Sequence, residues 1–512
     1  MSLLGRIDMK LIKSISFVSL ATLTSRVFGF VRDIICAFAF GASAEFDAFL
    51  VAFRIPNFMR ALFAEGAFSQ AFVPSIADYS SKVEQRAFAS KVLFIMMLIL
   101  SVISIPFYVF SKYVVLLFAP GFALHPQQLE LASRLVWYTF PYLLCISCAG
   151  IVSAVLNYQR KFVLPALMPI LLNLMMIIAA SLASYFGVIG LGFAVGVSGL
   201  AQLLVLWLYA GWHGCWLYPR YPRNDRKVLG VFVTMLAAIV GVSFQQLSSL
   251  FDTFVGSFLS EGSLSWLYYS QRIVYLPIGV IAVAITTVMM PQLSKYFKHN
   301  QMEEFRQLLH ENISLIMMVG IPAAVALFVL ADNIVVTLFF QGNFNQDDVV
   351  KTTQSLRAMV IGLPAFMLIK VMAATCFAKR NVKSPVYGFM VAFISHVIIS
   401  LSLIRFGHVA LAFSSAVSAY VNMGGLCFIL KKDLRSFLGS KARSLIGVIV
   451  LSSISMGLLL LKIKPDYHDL ILIPLKGRWA SLVLDVFAGF LCWYLLSPLG
   501  PIFKYRRSML IS

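Results

Sequence analysis

Apolar positions run along the chain in blocks of about twenty residues, broken by short polar stretches. A helix needs about 20 consecutive apolar residues to cross the hydrocarbon core of a bilayer. About fourteen such blocks can be counted, centred near residues 28, 60, 103, 145, 175, 202, 241, 279, 323, 364, 394, 420, 451 and 490. Every connection is short, and none is long enough for a soluble domain. Lys and Arg placement sets the expected orientation, because cytoplasmic loops hold the excess of basic residues. With the N-terminus inside, the cytoplasmic segments hold 26 basic residues and the outer ones 7. Both termini are then expected in the cytoplasm. The last outer loop, with Lys462, Lys464, Lys476 and Arg478, runs against the rule.

The chain also repeats itself. "GLGFAVGVS" (Gly190 to Ser198) matches "ALAFSSAVS" (Ala410 to Ser418), and "QRKFVLP" ending at Pro165 matches "KRNVKSP" ending at Pro385. "LFAPGF" from Leu117 resembles "LFFQGNF" from Leu338. The matches fall in register on equivalent blocks, which predicts a duplication. The halves would span about 11–217 and 228–432, six helices each. An even number gives both the same orientation, hence parallel repeats about an axis along the membrane normal. The expected organisation is a first lobe at 1–217, a polar cytoplasmic linker at 218–227, a second lobe at 228–432, and two extra C-terminal helices at 433–512. The fold class is an all-α multi-pass membrane protein of about fourteen transmembrane helices, with the two repeats around a central cavity.

Composition agrees: of 512 residues, 60% are hydrophobic and 12% charged, more apolar than any soluble domain. A net charge of +20 in such a chain points to loops facing anionic lipid, not to nucleic acid. The N-terminus is basic, but Arg26, Arg32 and Asp33 interrupt the apolar run behind it, so no cleavable signal is expected. Cys145 and Cys148 lie mid-helix and read as small packing residues. His396, alone in an apolar block, reads as a satisfied packing residue. No phosphate-binding GxxxxGK[ST] loop, no HExxH and no other metal-ligand cluster occurs, so neither ATPase activity nor a cofactor is expected.

Eight basic residues remain inside the blocks: Arg26, Arg32, Arg54, Arg60, Arg134, Arg272, Arg357 and Lys370. One arginine at mid-bilayer costs roughly 2.5–3.5 kcal/mol on insertion scales. Arg134 and Arg357 lie near block ends, where they can snorkel to the interface. Lys370 fits either a cavity or structural pairing. Arg26, Arg32, Arg54, Arg60 and Arg272 are expected to face a water-filled cavity, with a structural ion pair as the alternative. Pro56, between Arg54 and Arg60, distorts the helix there, and irregular backbone at membrane depth is tolerated where it lines a cavity. The repeat aligns Arg54 with Arg272, whereas Arg26, Arg32 and Arg60 align with Phe244, Leu250 and Ile278. That asymmetry concerns a ligand more than a fold. Acids nearby are few: Asp33, Asp47, Glu65 and Asp252. The cavity is therefore net positive, and arginine suits bidentate recognition of phosphate.

The stretches "SRVFGFVRD" (from Ser25), "DAFLVAFRIPNFMRALFAEGAFSQAFVP" (from Asp47) and "WLYYSQRIVYLPIGV" (from Trp266) resemble the MurJ (MviN) lipid II flippases of the MOP exporter superfamily. The likeness runs along essentially the whole chain. It implies fourteen helices, two six-helix lobes around a central cavity, and a groove on helices thirteen and fourteen for a lipid tail. It also implies translocation of an undecaprenyl-diphosphate-linked peptidoglycan precursor across the bacterial inner membrane by alternating access. The implied partners are that precursor, membrane lipids and the cell-wall synthesis machinery. By motif position Arg26, Arg32 and Arg272 resemble the family's cavity arginines, held to bind the diphosphate. Arg60 and Asp47 match positions important for function, and Arg54 stands where lysine is usual. In well-known members the third motif reads Asp-Arg with a Glu three residues on; here Gln271 precedes Arg272 and Tyr275 takes the Glu place.

Rival readings make different demands. A cation-drug exporter needs an acidic cavity. A polyprenyl-phosphate transferase needs clustered Asp or His at a cytoplasmic interface, which is not found. A flippase for another polyprenyl-diphosphate-linked saccharide shares the basic site, and a purely structural scaffold would not accumulate buried arginines.

Overall fold

A computed structural model describes residues 9–63, 66–223, 225–434 and 440–497. Glu65 lies outside them. The chain divides into two compact units, Met1–Ser265 and Trp266–Ser512, each helical throughout, with no strand among the described residues. Among the described residues ten helices are long and apolar enough to cross a membrane, or eleven if one pair bent by 44° counts as a single span.

The first unit contains α1 (Met9–Phe40), α2 (Ala44–Phe63), α3 (Gly66–Ala77), α4 (Lys82–Val109), α5 (Ser111–Phe118), α6 (Pro126–Thr139), α7 (Pro141–Tyr158), α8 (Val163–Ser181), α9 (Ala183–Trp212) and α10 (Arg226–Gly256). Helix α4 begins with a capping box: the Ser81 side chain accepts from the Glu84 amide and Glu84 accepts from the Ser81 amide, satisfying two otherwise unpaired donors. Helix α9 packs on α6, α7 and α8. It does so through glycines: a Cβ at Gly196 would stand 2.5 Å from the Tyr138 carbonyl oxygen, and one at Gly199 3.0 Å from the Tyr142 Cα. In lipid there is no hydrophobic drive between helices, so close backbone approach through small residues supplies the packing. The sequence repeat assigns α10 to the second half, yet α10 packs against α3 and α2 and belongs to the first compact unit.

The second unit contains most of α11 (Ser263–Pro277), then α12 (Val283–Lys298), α13 (Met302–Val329), α14 (Ala331–Phe339), α15 (Gln346–Val360), α16 (Leu363–Ala378), α17 (Lys383–Ser402), α18 (His408–Ile429), α19 (Lys431–Leu434), α20 (Ser440–Ile463), α21 (Tyr467–Leu472) and α22 (Leu475–Leu496). A π-helical turn, Ile278–Ala282, joins α11 to α12 just after Pro277; proline removes a backbone donor, and π turns are a recognised cause of bending. The bent pair is α15 and α16. Helix α20 packs on α13, and α22 on α20 and α14. Leu451, Leu458, Val483 and Phe487 are left exposed on α20 and α22, as a lipid-facing surface requires.

Two backbone details recur 220 residues apart. Arg160 and Arg380 both take left-handed φ, 63° and 59°, and so do Gly187 and Gly407, at 54° and 61°. Arginine rarely adopts that conformation, and it does so at equivalent places in the two "R-x-x-x-x-P" turns.

Candidate functional site

In the first unit the arginines have different surroundings. Arg26 is exposed on α1. Arg32, two turns further on, is buried: its Nε and Nη2 donate to Asp33 Oδ1 at 2.9 and 2.6 Å, and its Nη1 donates to Asn173 Oδ1 on α8 at 3.1 Å. Asn173 in turn donates to the Ser25 carbonyl at 3.1 Å. Arg32 and Asp33 thus form a buried ion pair that pins α1 to α8. Each charge is neutralised beside its neighbour.

Asp47, also buried, sits in the first turn of α2. Its carboxylate accepts from the Gly262 and Ser265 amides at 2.8 Å each and from the Ser265 hydroxyl. It caps the start of α11 from another element, meeting donors that a helix N-terminus leaves unpaired. Arg54 is half-buried and donates to the Ser249 carbonyl at 2.8 Å and to the Thr253 hydroxyl on α10.

Arg60 lies at the end of α2, its Nε donating to Asn57 Oδ1 at 3.1 Å. It lines a cavity of about 680 Å³ within the first unit, walled by α2, α3, α7, α8 and α9. Tyr142, Ser153, Asn157 and Gln202 share the wall with mainly aliphatic side chains. Sequence reading did not single out Gln202. Its signal was an uncharged amide in the sixth apolar block, quieter than a charge.

In the second unit Arg272 is half-buried on α11, its guanidinium 4.6 Å from the Tyr268 ring centre and donating to the Tyr268 hydroxyl at 3.1 Å. Tyr275, in the place of the usual acid, is exposed beside the Phe366 ring. Several other charges in this unit have close partners, while Lys370 is exposed on α16. Arg357 pairs with Asp332 at 2.7 Å, and Lys464 reaches the same carboxylate at 3.2 Å. Arg478 donates to the carbonyls of Phe340, Leu470, Ile471 and Ile473. Asp485 accepts from Asn333 at 3.4 Å, and His396 meets the Ser414 hydroxyl at 3.0 Å. In the first unit Arg134 pairs with Glu130 one turn away. No group of three metal-ligating side chains occurs among the described residues.

Residues 36–473 match the family model described as lipid II flippase MurJ. The chain is 36% identical over 495 residues to a probable lipid II flippase MurJ of Haemophilus influenzae, covering 93% of this chain and 95% of that one. It is 35% identical over 432 residues to the lipid II flippase MurJ of Burkholderia cenocepacia, covering 81% and 82%. Among solved structures it resembles a lipid II flippase MurJ in an inward closed conformation, with TM-score 0.81 and 25% identity over 96% of this chain and 99% of that one. An inward-facing multidrug resistance transporter of the MATE family and MOP superfamily shares the fold at TM-score 0.65 and 14% identity, over 82% of this chain and 99% of that one.

Proposed function

The chain belongs to the MurJ family of lipid II flippases, and on that premise we propose how its arginines serve the transport. It is a multi-pass protein of the bacterial inner membrane, a transporter of lipid II and not an enzyme. Its work belongs to peptidoglycan synthesis.

Arg26, Arg54 and Arg60 of the first unit and Arg272 of the second carry the diphosphate of the substrate. Arg32 belongs to the set by motif position; bonded to Asp33, it also holds α1 in place. Asp47 supports the site by fixing the start of α11, the helix that bears Arg272. Glu65 completes the acidic complement. The observation that carries this reading is that Arg26 stands exposed and Arg60 lines a cavity wall, although both lie deep in apolar stretches where placing a charge is costly. Guanidinium groups bind phosphate oxygens in bidentate fashion, so each arginine offers more than a point charge. The Tyr268 ring and hydroxyl orient Arg272 where the usual neighbouring acids are missing.

The full span count is fourteen when α1, α2 and α10, of 32, 20 and 31 residues, join the apolar spans and the bent pair counts as one. The paired left-handed residues support two parallel repeats at 11–217 and 228–432, with α20 and α22 outside them. Both termini lie in the cytoplasm. The basic outer loop between α20 and α22 fits this orientation, since Lys464 is neutralised by Asp332 and Arg478 is engaged by four carbonyls. Alternating access moves the headgroup while the tail follows α20 and α22, and the cell-wall synthesis machinery supplies and consumes the substrate.

The test is complementation of a strain depleted of its own lipid II flippase by wild type and by Arg26→Ala, Arg60→Ala and Arg272→Ala, with membrane expression measured for each. Rescue by wild type, lost in well-expressed variants, is the expected result. Variants that rescue as well as wild type would remove the arginines from the proposed site.

A further inference from the structure

The two units share one helical motif but cover it differently. Helix α4 runs from Lys82 to Val109 and α13 from Met302 to Val329, 28 residues each and 220 residues apart. Each breaks and continues as a short helix, α5 from Ser111 and α14 from Ala331. Their packing agrees on one side: α4 meets α5, α6 and α7, as α13 meets α14, α15 and α16. The other side differs. In the second unit α20 lies on α13 and α22 on α14. Gly457 of α20 marks the close approach, since a Cβ there would stand 2.8 Å from Val325 Cγ1. Further along, Val329 and Asn333 are 8% and 1% exposed, and Asn333 donates to Asp485 of α22 at 3.4 Å. The aligned positions of the first unit are Ile105, Val109 and Tyr113, which are 59%, 65% and 70% exposed. With the exposed Leu98 and Val102 they form one apolar stripe along α4 and α5.

Lipid accepts any apolar stripe, so exposure alone decides nothing. Two further observations do. The first is shape. The face of α4 and α5 repeats a face that, on α13 and α14, carries a pair of membrane helices. Helices in lipid associate through close packing over small residues and through polar contacts, not through a hydrophobic drive. Both occur in that cover: Gly457 sits over the valine ridge, and Lys464, just past the end of α20, bonds Asp332 at 3.2 Å and the Val329 carbonyl at 3.4 Å. The second is charge. Lys112 is the second residue of α5, as Asp332 is of α14. It is exposed, and no ion pair holds it among the described residues. Where Asp332 takes a lysine from its cover, Lys112 calls for a carboxylate.

We infer that the face of α4 and α5 is the docking surface for a partner membrane protein. The partner presents two apolar membrane-crossing helices, one with a glycine or alanine over Ile105 and Val109, and an Asp or Glu in their connection that pairs with Lys112. The inference stands apart from the transport reading, because this face carries none of the arginines assigned to the substrate.

The experiment is photocrosslinking in native membranes. p-Benzoylphenylalanine replaces Ile105, Val109 or Tyr113, one at a time, in the full-length chain. Ile398, exposed on α17, is the control position. The expected result is the same discrete protein adduct from all three positions and none from the control, with mass spectrometry identifying a partner of at least two membrane-crossing helices. Lys112→Glu should lower the adduct about tenfold, the effect of setting like charges against each other at an interface. Changing the partner's carboxylate to lysine in that background should restore it. An unchanged melting midpoint for purified Lys112→Glu assigns the loss to the interface and not to the fold. If the midpoint does fall, Lys112→Gln, which removes the charge without reversing it, should still lower the adduct. Adducts with lipid alone, an adduct with a second copy of this chain, or an adduct that both Lys112 variants leave unchanged would each overturn the proposal.

Discussion

Removing the carboxylate of Asp47 should cost the first unit much of its stability, and the structure gives the scale. The carboxylate meets two backbone amides, Gly262 and Ser265, and the Ser265 hydroxyl, all buried. In Asp47→Ala the two amides lose their acceptor. Each stranded buried donor costs about 1–3 kcal/mol, so the loss is about 2–6 kcal/mol, with the hydroxyl able to turn elsewhere. Asp47→Asn keeps one acceptor oxygen but presents an NH₂ to an N–H, and should fall between wild type and alanine. Ser265→Ala removes one donor and leaves the carboxylate two amides, for about 0.5–1.5 kcal/mol. A unit of this size loses roughly 2 °C of melting midpoint per kcal/mol. Purified variants followed by fluorescence-detected size exclusion across a temperature series should therefore melt in the order wild type, Ser265→Ala, Asp47→Asn, Asp47→Ala, with the Asp47→Ala shift about fourfold the Ser265→Ala shift at mid-range. If Ser265→Ala and Asp47→Ala lower the midpoint equally, the amides are not what the carboxylate serves and the capping argument fails.

Two further predictions concern charge pairs. Asp33→Ala leaves Arg32 buried without its carboxylate and should lose about 3–5 kcal/mol, whereas Arg32→Met with Asp33→Leu should recover most of it; the same melting assay reads both, and a double variant no better than Asp33→Ala would refute the pairing. In the linker, the hydrogen bond and charge of Lys91 hold Asp225 below its ordinary carboxylate value, partly opposed by burial. Because the folded value is the lower one, the tie is fully present above the ordinary carboxylate range near pH 3.9 and is lost as pH falls through the depressed value. Hydrogen exchange over residues 220–229 should speed up only in strong acid, and Lys91→Gln should move that onset to higher pH.

How much of this was legible in the sequence depended on whether a residue's signal was local. A charge in an apolar run announces itself through its insertion cost, so Arg26, Arg32, Arg54, Arg60 and Arg272 could be selected without coordinates. Their partners could not. Asn173 stands 141 residues from Arg32, and Gly262 stands 215 from Asp47; no periodicity reports such distances. The ion pair of Arg32 with Asp33 is an alternative that the sequence offers without deciding it, because the pairing of immediate neighbours depends on side-chain rotamers. Gln202 escaped notice because a neutral amide costs less to bury than a charge. The repeat was visible in aligned motifs, yet α10 packs with the unit that precedes it: sequence register records a shared pattern, whereas compactness follows contact.

The double engagement of Asp332 has a consequence for the order in which the protein is made. Arg357 follows Asp332 within the same helical hairpin, but Lys464 comes 132 residues later. At about 5–20 residues per second of synthesis, the carboxylate waits roughly 7–26 seconds for its second cation. Until then Asp332 has one cation partner instead of two, and the surface of α13 and α14 that α20 and α22 will cover stands open to lipid. Helices α20 and α22 therefore arrive as a latch, closing onto helices of the unit that were made before them.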